Sequence, residues 1–412
     1  MKVYVAKQPI YDTNEKLVGY ELLYRKDSTN VFPQIDGDQA TAEVVINTHL
    51  NIGLHRITEG KLYCIQFTEK LLEQKLPTFF NPKEMLVKIS NEVVLTTRLI
   101  KMVYELKQLG YGIIISDILI NFDFPLMDAL FANIDYLTVD FSDGLTQQHD
   151  LIEKVANKFD VQLVAEKIEK REYYIEAKNR GYSLFQGYLF SEPMIESSFE
   201  IPTVYQTDQL LAQDKINSMN EDELVQWVER DLSFSIKLLR LINTSQSQSS
   251  KVCSIRKAIT LIGLEEVKKW IQLLMVRYSI KAPIQLSNDI NRLILTRAKL
   301  CEKMGKLIGS PHPSGFYLMG LISAIEKMNV ESMEEILDGI PIKDELYEAL
   351  IGVENEYKLV LDLVQAVEQA NWRKISEKCK RLKISERDLF RLYAVSLNWT
   401  NHFTSENKRT PF

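Results

Sequence analysis

Lys2-Val3-Tyr4-Val5 and Gly19-Tyr20-Glu21-Leu22-Leu23-Tyr24 are two short β-type runs joined by a turn-rich link at residues 7–18. Parallel strands need a crossover of a dozen or more residues, usually a helix, and this link has no helical pattern to supply one. The two runs are therefore expected to pair as an antiparallel hairpin. Six more runs follow, at 62–67, 85–89, 112–116, 136–140, 162–166 and 183–190. They are near-continuous in hydrophobicity, as strands covered on both faces are. Amphipathic segments at 96–108, 126–132, 150–157 and 171–179 lie between the later runs. The spacing there is roughly one strand per 20–27 residues, the length of a βα unit. Eight such runs predict an α/β fold, a modified (β/α)8 TIM-type barrel with an antiparallel first strand.

After Pro202 the pattern changes to helical periodicity. Asn220 and Glu223 have the spacing of a capping box, and Phe234, Leu238, Leu241 and Ile242 form one apolar stripe. Helices are expected at 255–262, 264–278 and 288–307, with several more to Asn401, and Gly263 stands at a helix-ending position. Pro311-His312-Pro313 marks a tight loop. This reading divides the chain into a barrel at 1–200 and an all-α domain at 201–412, with residues 201–205 as linker.

The chain has 412 residues, 45% apolar and 26% charged, and a net charge of -6. These values exclude disordered, fibrous and disulfide-scaffold classes. They also give no global positive field, so neither a nucleic-acid nor a membrane-surface partner is expected. No apolar window is long enough to span a bilayer, and the N-terminus lacks a signal-peptide core. Cys64, Cys253, Cys301 and Cys379 are far apart and form no metal-ligand pair. Free thiols in a reducing cytoplasm are the expectation. The five histidines are equally scattered, so no zinc site is expected.

Four motifs resemble the EAL family, the bacterial cyclic di-GMP phosphodiesterase fold. They are Gln8-Pro9-Ile10-Tyr11-Asp12, Gly19-Tyr20-Glu21-Leu22-Leu23-Tyr24-Arg25, Ala165-Glu166-Lys167-Ile168-Glu169 and Gln186-Gly187-Tyr188-Leu189-Phe190-Ser191-Glu192-Pro193. Their order and approximate spacing match the family over some 190 residues. The resemblance implies a carboxylate-rich divalent-metal site at the barrel mouth and a lysine that helps activate water. Glu21 stands at the first ligand position. Gln66 replaces an Asn, Lys88 replaces a Glu, Ser116-Asp117 replaces an Asp-Asp pair, and Thr138 replaces the catalytic lysine. The resemblance therefore implies no metal, no catalytic residue and no cofactor. Glu21, Arg25, Asp117, Glu166, Glu169 and Gln186 remain as ligand-binding candidates. In one reading Lys88 pairs internally with Glu21, Asp117 or Glu166 and fills the mouth. In the other, Arg25 and Lys88 meet the phosphates of cyclic di-GMP, and Gln186 reads a guanine edge.

The second half resembles the HDOD family, which is related to the metal-dependent HD phosphohydrolases. Residues 223–244 carry Lys237-Leu238-Leu239-Arg240-Leu241-Ile242-Asn243-Thr244 in place of that family's Lys-Leu-Leu-Arg-x-x-Asn-Ser helix. Leu232 stands where a proline is usual. Ser254 to Gly263 resembles the next helix. In Gly320-Leu321-Ile322-Ser323-Ala324, Ser323 and Ala324 occupy the positions of the metal-binding His and Asp.

The combined order resembles a bacterial EAL–HDOD signalling family. It implies a cytoplasmic, catalytically inactive scaffold that acts through protein contacts. The alternative is a metal-independent cyclic di-GMP receptor, and a residual phosphodiesterase comes third. The expected partner is a signalling protein of unstated identity, with self-pairing of barrels as a further option. Arg240, Asn243 and Thr244 are the partner-binding candidates, Arg240 being expected to face solvent. The basic run Arg373, Lys374, Lys378, Lys380, Arg381 and Lys383 reads as a solvated helix face, or as a patch for phosphate or an acidic partner.

Overall fold

Strand β1 (Lys2–Asp12) runs antiparallel to β2 (Leu17–Arg25), with Gln8 opposite Glu21. The Asp12 carboxylate accepts the N–H groups of Asn14 (2.8 Å) and Lys16 (2.9 Å), and Glu15 takes a left-handed φ of 58°. This Asx-type turn uses only residues 13–16. Both strands are therefore longer than the sequence reading gave, and the link is shorter. The computed structural model describes residues 2–29, 36–90, 93–116, 127–144, 146–203, 213–242, 251–280, 286–328, 332–338 and 340–406. The chain forms two units, Lys2–Ser198 and Phe199–Phe412.

In the first unit β3 (Leu62–Phe67), β4 (Met85–Ile89), β5 (Gly112–Ser116), β6 (Tyr136–Asp140) and β7 (Gln162–Glu166) follow β2 in parallel order. β8 (Leu184–Phe185) pairs parallel to β7 and antiparallel to β1, which closes an eight-stranded mixed barrel. β8 stops after two residues because the chain turns at Gly187. That residue has φ 156°, and a Cβ there would sit 2.2 Å from the Ile168 carbonyl oxygen. A ninth strand, β9 (Met194–Phe199), adds to β1 and was not foreseen.

Strand alternation sets the barrel interior in layers. Ile10, Cys64, Ile114, Leu86, Tyr136 and Leu184 pack together as an apolar floor. Two residues further along each strand come Gln66, Lys88, Ser116, Thr138 and Gln186. The same inward face thus passes from apolar to polar towards the C-terminal ends of the strands. The outward positions Val87, Ile113, Ile115, Leu137, Val139, Leu163 and Ala165 are buried as well. Burial of both faces is why these strands read as continuous apolar runs.

Between β2 and β3, helix Gly37–Ile46 widens into a π-helical turn, Asn47–Ile52. His49 is buried there. Its Nδ1 lies 2.8 Å from the Val45 carbonyl, so Nδ1 carries the hydrogen, and Nε2 lies 3.3 Å from the Tyr63 hydroxyl. Burial pushes the imidazole down from 6.5 to about 4, against the opposing pull of the Val45 carbonyl.

In the second unit, Asn220 and Glu223 form the expected capping box at the start of helix Glu221–Glu229. Helix Leu232–Leu241 is capped by Asp231, whose carboxylate accepts the Phe234 N–H at 2.9 Å. Gly263, with φ 95°, separates helices Ile255–Ile262 and Leu264–Ile280. Asn288–Leu307 and Pro313–Ile322 form the next long pair. Residues 201–203, read from sequence as the beginning of a linker, are instead tied into this unit, as is Glu200. Both terminal nitrogens of Arg277 bond the buried Glu200 carboxylate, the Thr203 hydroxyl bonds Asp231, and Ser233 donates to the Ile201 carbonyl at 2.7 Å. Among the described residues no helix is long and apolar enough to cross a membrane.

The His49 ring gives the barrel a pH-dependent stability. The unfolded chain takes up a proton below about pH 6.5, whereas the folded chain does so only near pH 4. Stability from this group is therefore complete above pH 6.5 and falls as pH drops to 4, by about 3 kcal/mol. Urea titrations of wild type and His49→Phe should show a stability difference that shrinks over that window. A difference independent of pH would contradict the assignment.

Candidate functional site

Three side chains from distant strands meet in the barrel mouth. Lys88, next to last in β4, donates from Nζ to Glu21 Oε1 at 2.8 Å and to Glu166 Oε1 at 2.7 Å. Glu21 comes from β2, and Glu166 is the last residue of β7. The second oxygen of Glu21 accepts the Gln186 amide at 2.7 Å. Glu21, Lys88 and Gln186 are buried. Burial alone would raise the Glu21 carboxyl, but the Lys88 charge and the hydrogen bonds from Lys88 and Gln186 hold it below its usual value. Burial likewise opposes the Lys88 charge, and Glu166 and Glu21 outweigh it, raising the ammonium above its usual value. Both directions agree on an ionised cluster.

The other candidates lie around this cluster or outside it. The Gln66 amide donates to Ser90 Oγ at 3.1 Å, and Ser116 ends β5 half-buried. Thr138 is buried, and its hydroxyl has no hydrogen-bond partner among the described residues. Arg25 is buried, and its Nη1 donates to the Tyr24 carbonyl at 2.8 Å. Glu169 is exposed and makes no hydrogen bond or ion pair with the described residues. Asp117 lies outside the described residues. Sequence reasoning missed Asp140, which bonds Lys167 at 2.6 Å. Its position two residues after Thr138 on β6 was the available signal.

The helical unit, besides the Arg277–Glu200 pair, ties the buried Arg297 to Glu368, which sequence reasoning also missed. Arg297 grips Glu368 through Nε (2.7 Å) and Nη2 (2.5 Å), and its Nη1 donates to Ser323 Oγ at 3.2 Å. Arg297 and Glu368 line a cavity of about 260 Å³ with Leu293, Thr296, Tyr393 and Leu397. Arg240 was expected to face solvent. It is half-buried, and its Nη2 lies 3.4 Å from the Ile336 carbonyl, because helix Leu232–Leu241 is covered on every side. Asn243 and Thr244 lie outside the described residues.

Residues 200–336 match the HDOD domain family. Over 406 residues, 98% of this chain and 99% of the relative, the sequence is 37% identical to the uncharacterised protein YuxH of Bacillus subtilis. The chain belongs to the YuxH family of EAL–HDOD proteins. It is also 27% identical over 408 residues to the cyclic di-GMP phosphodiesterase CdgJ of Vibrio cholerae, covering 96% of this chain and 92% of that one. A crystal structure of an EAL domain protein from Listeria monocytogenes aligns with a TM-score of 0.37 at 19% identity, over 47% of this chain and 89% of that one.

The divalent metal that an EAL barrel implies does not fit the mouth of this YuxH-family chain. A hard cation needs several oxygen ligands at roughly 2–2.6 Å. Glu21 and Glu166 present theirs to an ammonium less than 3 Å away. At an effective dielectric near 20, a unit charge ~4 Å from another costs about 4 kcal/mol, and a divalent ion costs about twice that. Among the described residues no group of three or more His, Cys, Asp or Glu side chains is gathered as a metal site.

Removing the ammonium should expose this balance. Lys88→Ala leaves the buried Glu21 and half-buried Glu166 carboxylates without their shared cation and should cost about 3–5 kcal/mol near neutral pH. Wild-type Glu21, with its carboxyl held low, loses its contribution as pH falls through that depressed value. The variant's carboxyls are raised by mutual repulsion, so mild acid should narrow its deficit. Denaturant titrations at neutral and mildly acidic pH test this, and a deficit that widens in acid would contradict it.

Proposed function

We propose that this EAL–HDOD protein is a catalytically inactive, cytoplasmic signalling scaffold that works through protein contacts. The observation that carries this reading is the Lys88 ammonium between Glu21 and Glu166. A cation fixed to the chain takes up the oxygens that phosphodiester hydrolysis would direct at divalent ions. Thr138, at the position of the family's catalytic lysine, has no amine to activate water. The name of the Vibrio cholerae relative connects this architecture with cyclic di-GMP turnover, and the substitutions at positions 66, 88, 116 and 138 separate this chain from that chemistry. The receptor reading has less support. Gln186, which would read the base, is already bonded to Glu21.

Calorimetric titration with cyclic di-GMP, with and without magnesium, decides among the three readings. The scaffold predicts no binding heat in either condition and no hydrolysis. Micromolar binding without magnesium would make the barrel a receptor instead. Turnover would overturn the inactive reading. Lys88→Glu alone should not restore hydrolysis, because Gln66, Ser116 and Thr138 are unchanged.

A further inference from the structure

Between Trp372 and Arg391 the sequence carries eight basic and three acidic residues, in a chain whose net charge is -6. Helices Trp372–Leu382 and Glu386–Glu406 hold this stretch. They lie side by side there. The Ser376 hydroxyl bonds Glu386, and the Trp372 and Phe390 ring centroids are 5.6 Å apart. Part of the positive charge is spent internally. Lys378 pairs with Asp362 at 2.8 Å, Arg381 with Glu354 at 2.8 Å, and Arg391 with Asp388 at 3.2 Å. The other five, Arg373, Lys374, Lys380, Lys383 and Arg387, are exposed, and no described carboxylate lies within ion-pair distance of them.

Helix pitch places Arg373 and Lys380 on one side, away from the buried Ile375 and Cys379. Trp372, just before Arg373, is 63% exposed and rests on Phe390. An exposed tryptophan followed directly by Arg373, on a helix pair that also exposes Lys380 and Arg387, has the composition of a binding hot spot.

We propose that this face docks an acidic segment of a protein partner, with an apolar residue of that segment covering Trp372 and its carboxylates meeting Arg373, Lys380 and Arg387. A protein fits better than a nucleic acid. Glu377, Glu386 and Asp388 lie among the cations. A continuous phosphodiester backbone would run against them, while a peptide can place a neutral or basic residue there. The inference rests on the scaffold reading only for its purpose. Cyclic di-GMP titration tests the barrel, peptide binding tests this face, and either can fail without the other.

The probe is a fluorescently labelled Asp- and Glu-rich peptide with one central phenylalanine, titrated with the full chain and followed by anisotropy. The expected result is saturable binding at low salt that weakens as salt rises. The combined variant Arg373→Glu, Lys380→Glu and Arg387→Glu should lose at least roughly tenfold in affinity, and Trp372→Ala roughly tenfold. All four positions are exposed, and thermal melts by circular dichroism check that each variant folds. Absence of binding at low salt, or equal binding by wild type and the combined variant, overturns the proposal. Tighter binding of single-stranded oligothymidine, lost in the same variant, also overturns it and assigns the face to nucleic acid. Self-association lost in that variant, seen by sedimentation, overturns it in favour of a second copy of the chain.

Discussion

The Lys88 ammonium is the interaction around which the barrel mouth is organised. Three strands that are remote in sequence, β2, β4 and β7, each bring one charged side chain to it. Without a cation, Glu21 would be a buried carboxylate held by a single amide bond from Gln186. With it, both oxygens of Glu21 are satisfied and the cluster stays ionised inside a low-dielectric site. The charge that relatives with intact ligand sets bring in as exchangeable ions is here fixed to the chain.

The helical unit repeats this logic with a different cation. Ser323 stands at the position of the histidine in the HD pattern, and the Arg297 guanidinium reaches its hydroxyl while gripping Glu368. Each half of the chain thus holds a buried side-chain cation, paired with carboxylate, in contact with a residue at a position where the sequence resemblance implies a metal ligand. Both pairs serve structure, because removing either partner would strand a buried charge.

Much of the barrel was legible because strands buried on both faces leave a strong mark. β3 to β7 coincide with the apolar runs read from sequence. β8 was overestimated because its apolar tail is a turn fixed by the backbone approach of Gly187 to Ile168, which hydropathy does not register. β9 and the π-helical turn at His49 carry no distinct pattern. At the site, the pairing of Lys88 with Glu21 or Glu166 was readable because the family resemblance places all three at the barrel mouth. Arg297 and Glu368 were not, because they lie 71 residues apart on helices whose contacts no local period encodes. Arg240 was misplaced for a related reason. Its helix carries Ser233, Ser235 and Lys237, which look like a solvent face. Their partners are the carbonyls of half-buried Ile201 and buried Val228 and the buried Tyr278 hydroxyl, all within the fold.

The closing strand pair sets an order on assembly. β1 and β2 form a local hairpin, but Tyr11 and Asp12 also pair with Phe185 and Leu184 near the far end of the barrel unit. As the chain leaves the ribosome, the hairpin and the βα units after it have the contacts they need, while the ring stays open until β8 emerges. Closure then joins segments of large sequence separation, the slow kind of contact in folding. During that interval the unpaired end of β1 is an open strand edge, and the growing barrel depends on reaching residue 185 before another chain finds that edge.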